Sequence, residues 1–205
     1  ANWKTCLDAF MEVYHAPTIH KDTVNILLDG NAMAAGLLKN GHSRMVTPKK
    51  MNLDGGFLGA EDSDYVPYIE TCDKIHAQTN VAYGMFPNFI TPTDTSGYPA
   101  ILFWPKGLRE TEFEWTQLAP KWPGDEKPDY WNEQETSFDS IMDEDFQNLE
   151  PMQRSHDAGV FESMPLNYQE RRIYYYHQVI DDWIGRDNLP ENIQVPNVLD
   201  PFIEV

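Results

Sequence analysis

The chain has 205 residues, of which 41% are hydrophobic and 13% aromatic, enough to fill the core of one sizeable domain. Its 33 acidic and 15 basic residues give a formal net charge of -18. Nucleic acids and anionic membranes both require a basic surface, so the charge argues against both partners. No apolar run reaches the roughly 18–20 residues of a membrane span.

The cysteine content and the first residues indicate the compartment. Cys6 and Cys72 are too few for a disulfide framework or an all-cysteine zinc site. The opening residues, ANWKTCLDAF, lack the basic-then-apolar order of a secretory signal. These features favour a soluble domain in a reducing compartment, and we predict a cytoplasmic location.

The N-terminal part is predicted to begin with a helix. Apolar residues at spacings of three and four run from Trp3 to Tyr14, and Pro17 is expected to end or bend this helix. Residues 30–42 are rich in Gly, Asn and Ala, which predicts a loop with a short helical piece. A strand is predicted over residues 42–50.

Strands are predicted in the middle of the chain. Residues 81–90 and 100–104 are apolar and bounded by turn residues, so each is predicted as a strand. Residues 110–116 alternate glutamate with Thr, Phe and Trp, which is typical of an antiparallel strand with one face in water. Residues 105–110, PKGLRE, are predicted to form the hairpin turn between the last two strands.

An exposed loop and a helix are predicted next. From Pro120 to Asp145 the composition shifts to acids, Trp and Pro, and the first half of this stretch is predicted to be an exposed loop. A helix is predicted from Ser137–Asp139 onward, with a kink at Pro151.

The final helix has the clearest boundaries. Asn167 and Glu170 form a capping-box pattern, and Gly185 is expected to end the helix. Its predicted inward face consists of Ile173, Tyr176, His177, Ile180, Trp183 and Ile184. A helix, antiparallel strands and then long helices together indicate a single α+β domain over residues 1–205.

Two of the six histidines, His15 and His20, are close in sequence and follow Glu12. Glu12 and His15 are three residues apart and project from neighbouring positions of one helical face. His20 would point away on a continuous helix, but a break at Ala16–Pro17 allows it to fold back. Two imidazoles and a carboxylate are the ligand set of non-haem Fe(II) oxygenases. The same spacing is also typical of surface histidines, and periodicity leaves the carboxylate unidentified.

The order of residues around this pair carries more information. It is Asn2-Trp3-Lys4, Asp8, Glu12, Tyr14-His15 and His20. This order resembles the mononuclear-iron signature that opens the catalytic half of the alpha subunit in Rieske-type, ring-hydroxylating non-haem iron oxygenases. The resemblance implies that His15 and His20 bind iron. It also implies that Glu12 is the carboxylate that bridges this site to the Rieske cluster of a neighbouring subunit.

A second motif lies in the predicted late helix. It consists of Glu144-Asp145, Glu150 and Gln153-Arg154. This motif looks like the family's E-D-x4-E-x2-Q-R pattern, in which the aspartate is the carboxylate ligand. The resemblance implies that Asp145 completes a triad with His15 and His20, and that Glu150 orients a ligand. It also implies a helix-grip (START/SRPBCC-like) fold, an antiparallel sheet packed on a long C-terminal helix.

The chain departs from the family pattern in two respects. Asp8 is followed by Ala9, where many members have Asn, and the Rieske motifs are missing. A Rieske [2Fe–2S] cluster needs C-x-H and C-x2-H motifs, and neither Cys6 nor Cys72 is part of one. The chain begins one residue before N-W-K. We therefore expect a catalytic domain separated from a longer subunit, with the cluster only in the full-length subunit or a partner.

The resemblance implies an oxygenase that uses O2 and mononuclear Fe(II) to insert oxygen into an apolar, aromatic or cyclic substrate, as in aromatic compound catabolism. Electrons would come from NAD(P)H through a reductase or ferredoxin, and the full-length protein would be a homotrimer. Mono- and dioxygenation remain alternatives. Because one fold serves several functions, a non-catalytic helix-grip module for hydrophobic ligands and a purely structural subunit also remain alternatives.

Overall fold

A computed structural model describes residues 1–50, 65, 67–161 and 163–204. Within these residues the strands are β1 (Ala34–Leu38), β2 (Ser43–Pro48), β3 (Thr79–Met85), β4 (Phe89–Thr93), β5 (Tyr98–Gly107), β6 (Glu110–Leu118) and β7 (Ile203–Glu204). They form one sheet of order β6-β5-β4-β3-β2-β1-β7. Neighbouring strands are antiparallel except β1 and β7, which are parallel.

The described residues also form five α-helices. They are α1 (Trp3–Asp8), α2 (Val24–Leu27), α3 (Lys74–Gln78), α4 (Asp129–Asp157) and α5 (Arg171–Ile184). The main core lies where α1, α4 and α5 meet the inner side of β4 and β5, and it includes Leu7, Ile101, Phe103 and Tyr176. This arrangement confirms the α+β helix-grip prediction. None of the helices in the described residues is both long and apolar enough to cross a membrane.

The predicted N-terminal helix is too long. It ends at Asp8, and tight turns follow up to α2. The Glu12 carboxylate accepts hydrogen bonds from the backbone N–H groups of Tyr14 and His15, and this local bonding competes with a helix. The apolar spacing therefore does not define one buried face, and Tyr14 is 61% exposed.

Two further predictions in the N-terminal half were partly wrong. Residues 30–42 contain short 3₁₀ turns, as expected, but also β1, because pairing with β2 outweighs the loop preference of the small residues. Residues 81–90 form the end of β3, a turn and the start of β4, because Pro87 cannot continue a paired central strand. The strand predicted at 42–50 is confirmed as β2.

The strand predicted at 110–116 is confirmed as β6, whose glutamates face solvent. The predicted PKGLRE turn is shorter than expected, since β5 continues to Gly107 and only Leu108 and Arg109 separate the strands.

Helix α4 begins earlier than predicted and continues through Pro151. The stretch interpreted as loop contains Tyr130 and Trp131, which are almost completely buried and anchor the start of the helix. The capping box of Asn167 and Glu170 is present just before α5. Gly185 ends α5 with a positive φ of 88°. Trp183 and Ile184 are exposed, so the inward face of α5 is shorter than predicted.

Candidate metal centre

The turns after α1 bring the two histidines together. The backbone N–H of Ala16 donates to the carbonyl of Val13, and the N–H of His20 donates to that of Ala16 at 3.1 Å. These bonds make the chain turn without forming a continuous helix, so the chain does break near Ala16–Pro17, as predicted. The ring centroids of His15 and His20 lie 5.0 Å apart.

Asp145 approaches the same point from helix α4. Its Oδ1 atom lies 3.1 Å from Nε2 of His20 and 3.5 Å from Nε2 of His15. One ligand atom from each of the three residues lies within 4.8 Å of the others. His20 and Asp145 are buried, whereas His15 is partly exposed. The structure thus brings together residues that lie up to 130 positions apart in the chain. The distances between their ligand atoms suit one metal ion.

Carboxylates hold the other nitrogen of each imidazole. Nδ1 of His15 contacts Oε1 of Glu12, and Nδ1 of His20 lies 2.6 Å from Oε2 of Glu144. A carboxylate favours a proton on Nδ1, which leaves the Nε2 lone pair free for a metal. Glu144 is itself fixed by the hydroxyl of Thr23, which donates to Oε2 at 2.8 Å. Both imidazoles therefore have the orientation that metal-ligating histidines require.

The charge of the cluster also suits a cation. Burial alone lowers the pKa of His20, but its hydrogen bonds and charge interactions with Asp145 and Glu144 outweigh burial and raise the pKa. With Glu12, three carboxylates surround two imidazoles, so a divalent ion between them would be well compensated. Two imidazole nitrogens and a carboxylate oxygen are a suitable donor set for Fe(II).

The structure does not bring Glu150 to this cluster. The Glu150 side chain is 79% exposed and pairs with Arg154 at 2.6 Å. It follows Asp145 by five residues, which places it about 140° around the helix from Asp145. The expectation that Glu150 orients a ligand is therefore corrected. The carboxylate that contacts His20 directly is that of Glu144. The sequence does contain an acidic residue, Glu144, next to Asp145, but spacing alone could not show that Glu144 contacts His20.

The cluster opens into a cavity of about 160 Å³. Its central walls are apolar and come from the turns after α1, the inner face of the sheet and helix α4; they include Phe10, Val13, Ile90, Ile101, Ile141 and Met142. Such walls exclude water from the space beside the candidate ligands and suit an apolar ligand.

Replacing Glu144 tests its supporting role. We expect Glu144→Gln to weaken Fe(II) binding about 10-fold, because supporting carboxylates typically contribute 10- to 100-fold and glutamine keeps one acceptor. Chelator competition under anaerobic conditions measures this affinity. Glu150→Gln on the same helix is the matched control, expected to bind as wild type. Equal affinity of the Glu144 variant and wild type would show that Glu144 does not support the site.

Comparisons with known proteins bear on this site. The family model described as the ring hydroxylating alpha subunit (catalytic domain) matches residues 1–186. This range includes both histidines, Asp145, the carboxylates that support them, and all of α1 to α5. No curated protein matches the chain.

Proposed function

The chain belongs to the family of ring-hydroxylating alpha subunits, catalytic domain, an oxidoreductase family, and we propose that it is an Fe(II)-dependent oxygenase domain acting on an apolar ring compound. The proposed iron ligands are His15, His20 and Asp145. The observation that carries this proposal is the convergence of their three ligand atoms at the wall of an apolar cavity.

The metal ion and the residues around it would have separate roles. An Fe(II) ion bound there would supply the redox chemistry that activates O2. Glu12 and Glu144 hold the two imidazoles in one orientation, so the ligand set is organised before metal arrives. The apolar cavity walls position the substrate beside the site and keep water away.

We further propose that Glu12 connects the site to an electron-donating partner. Glu12 contacts His15 through its side chain and the neighbouring Tyr14 through backbone hydrogen bonding. Tyr14 is 61% exposed and the His15 side chain is 23% exposed, so this part of the site lies at the surface, where a partner could approach. The sequence has no motif for a Rieske [2Fe–2S] cluster, so electrons must come from another domain or protein. We propose a reductase or ferredoxin as the electron donor and a homotrimer as the assembly. Residues 1–205 would form one catalytic domain of it.

Two free cysteines, Cys6 and Cys72, support a reducing, cytoplasmic environment as part of the proposal.

The experiment is anaerobic loading of the full chain with Fe(II), followed by gel filtration, iron analysis and electron paramagnetic resonance after addition of nitric oxide. We expect about one iron per chain, and a nitrosyl signal that reports an open coordination position. Failure to take up iron, with the protein folded, would overturn the proposal and favour the non-catalytic ligand carrier.

A further inference from the structure

The helix face that carries Asp145 also forms one wall of the cavity. Phe138, Ile141 and Met142 of α4 line the cavity together with Asp145. Phe138 precedes Asp145 by seven residues, which places the two about 20° apart around the helix and about 10 Å apart along it. Ile141 and Met142 lie between them, about one turn from Asp145. A molecule that extends from the metal cluster along this wall therefore passes Ile141 and Met142 and then reaches the ring of Phe138.

Close packing holds the Phe138 ring in place. The ring centroids of Phe138 and Trp115 on β6 lie 4.5 Å apart, and the indole N–H of Trp115 donates to Oδ1 of Asp139 at 3.1 Å. Trp115 is opposite Ile101 on β5, which is opposite Ile90 on β4, and both isoleucines line the cavity. Phe138 is 9% exposed, so its ring can move aside only if these neighbours move as well. The ring is therefore a fixed part of the cavity wall.

The size of the cavity restricts what can occupy it. Its volume is about 160 Å³. An apolar cavity of about 150 Å³ engineered into another protein binds benzene, whereas sites for drug-sized ligands measure about 300–1,000 Å³. The space beside the metal cluster therefore suits one ring and is too small for two fused rings. The described lining continues past Phe138 to Gln134, about 6 Å farther along α4, so removing the Phe138 ring would lengthen this space.

We propose that the substrate carries a single ring and that Phe138 sets this limit. The Phe138 side chain contacts the edge of that ring that points away from the metal cluster, and it takes no part in the chemistry. A second fused ring would overlap with the Phe138 ring, and a steric clash of this kind discriminates between substrates without any polar contact. This proposal deepens the proposed function, on which the term substrate rests.

Two apolar probes that differ by one ring test the proposal on the full chain, with binding measured by equilibrium dialysis. We expect toluene to bind at least about 10-fold more tightly than 2-methylnaphthalene. An apolar site without a size limit would show the reverse order, because 2-methylnaphthalene buries more apolar surface. Equal affinities, or tighter binding of 2-methylnaphthalene, would overturn the proposal.

The variant Phe138→Ala tests whether this residue sets the limit. It removes the ring and lengthens the cavity toward Gln134, so 2-methylnaphthalene should bind at least about 10-fold more tightly than it binds wild type and should become the preferred probe. Phe138→Leu disturbs the packing less and should shift the preference in the same direction by a smaller factor. An unchanged preference for toluene in either folded variant would show that Phe138 does not set the limit.

The matched control is Phe146→Ala. Phe146 is on the same helix, and its ring packs on Phe113 of β6 with the centroids 4.9 Å apart, but it is not among the described residues that line the cavity. This variant also removes a phenylalanine ring from the packing between α4 and β6, so it reports any general loosening of the core. Its preference for toluene should equal that of wild type. A shift as large as that of Phe138→Ala would contradict the assignment to Phe138.

Iron content measured on the same samples separates this proposal from the proposed function. Bound iron without a preference for toluene would reject only the limit to one ring. A preference that depends on Phe138 without iron uptake would reject only the oxygenase assignment.

Discussion

Replacing Asp145 with alanine is expected to reduce Fe(II) affinity by more than about 100-fold. Loss of a carboxylate that only supports a ligand costs up to about 100-fold, and Asp145 is itself a proposed ligand. The carboxylate supplies the only anionic ligand atom of the group of three, and it lies within 3.5 Å of both Nε2 atoms. Two imidazoles alone would remain, and they are a weak site for Fe(II). Iron per chain after gel filtration, together with chelator competition, measures the effect.

Two further variants serve as controls for this experiment. His15→Ala should lose iron to a similar degree, because it removes another proposed ligand. Glu150→Ala, on the exposed side of the same helix, should retain full iron content. Iron retained by a folded Asp145→Ala protein would require a different carboxylate ligand.

Replacing Arg172 is expected to cause the largest loss of stability. Its side chain is completely buried and donates to the Ser43 hydroxyl at 3.0 Å, to the Met11 carbonyl at 3.0 Å and to the Ala82 carbonyl at 3.4 Å. Arg172→Met removes all three of these buried hydrogen bonds, which should lower the free energy of unfolding by about 2–4 kcal/mol. Urea denaturation followed by circular dichroism measures this change.

The same variant should also affect the metal site. Burial lowers the pKa of Arg172 to about 9, an effect that Glu12 opposes, so the guanidinium remains charged at neutral pH. It holds the carbonyl of Met11, the residue before Glu12, and thereby fixes the turn that carries the proposed bridge.

The control for Arg172 is an exposed arginine. Arg154→Met removes a surface ion pair with Glu150 and should change the free energy of unfolding by less than about 0.5 kcal/mol. A similarly small change for Arg172→Met would mean that its three hydrogen bonds contribute little net stability.

Features that depend on neighbouring residues could be predicted from the sequence. The alternation in β6 and the capping box of Asn167 and Glu170 arise within a few residues, and both are present. The two motifs that resemble the ring-hydroxylating family also depend on local spacing, and the family match confirms that resemblance. Some predictions failed where strand pairing outweighs local preference, as in β1, which pairs with β2 and with the distant β7 despite its small residues.

Residue order within short motifs was enough to predict the family and the fold class and, through the resemblance to that family, the three candidate iron ligands. Tertiary packing, in contrast, was needed to show that Glu144, and not Glu150, contacts His20. It also brings Arg172 into contact with the Met11 carbonyl, just before Glu12. These arrangements join residues far apart in the chain, so packing and strand register select them, and no local pattern encodes them.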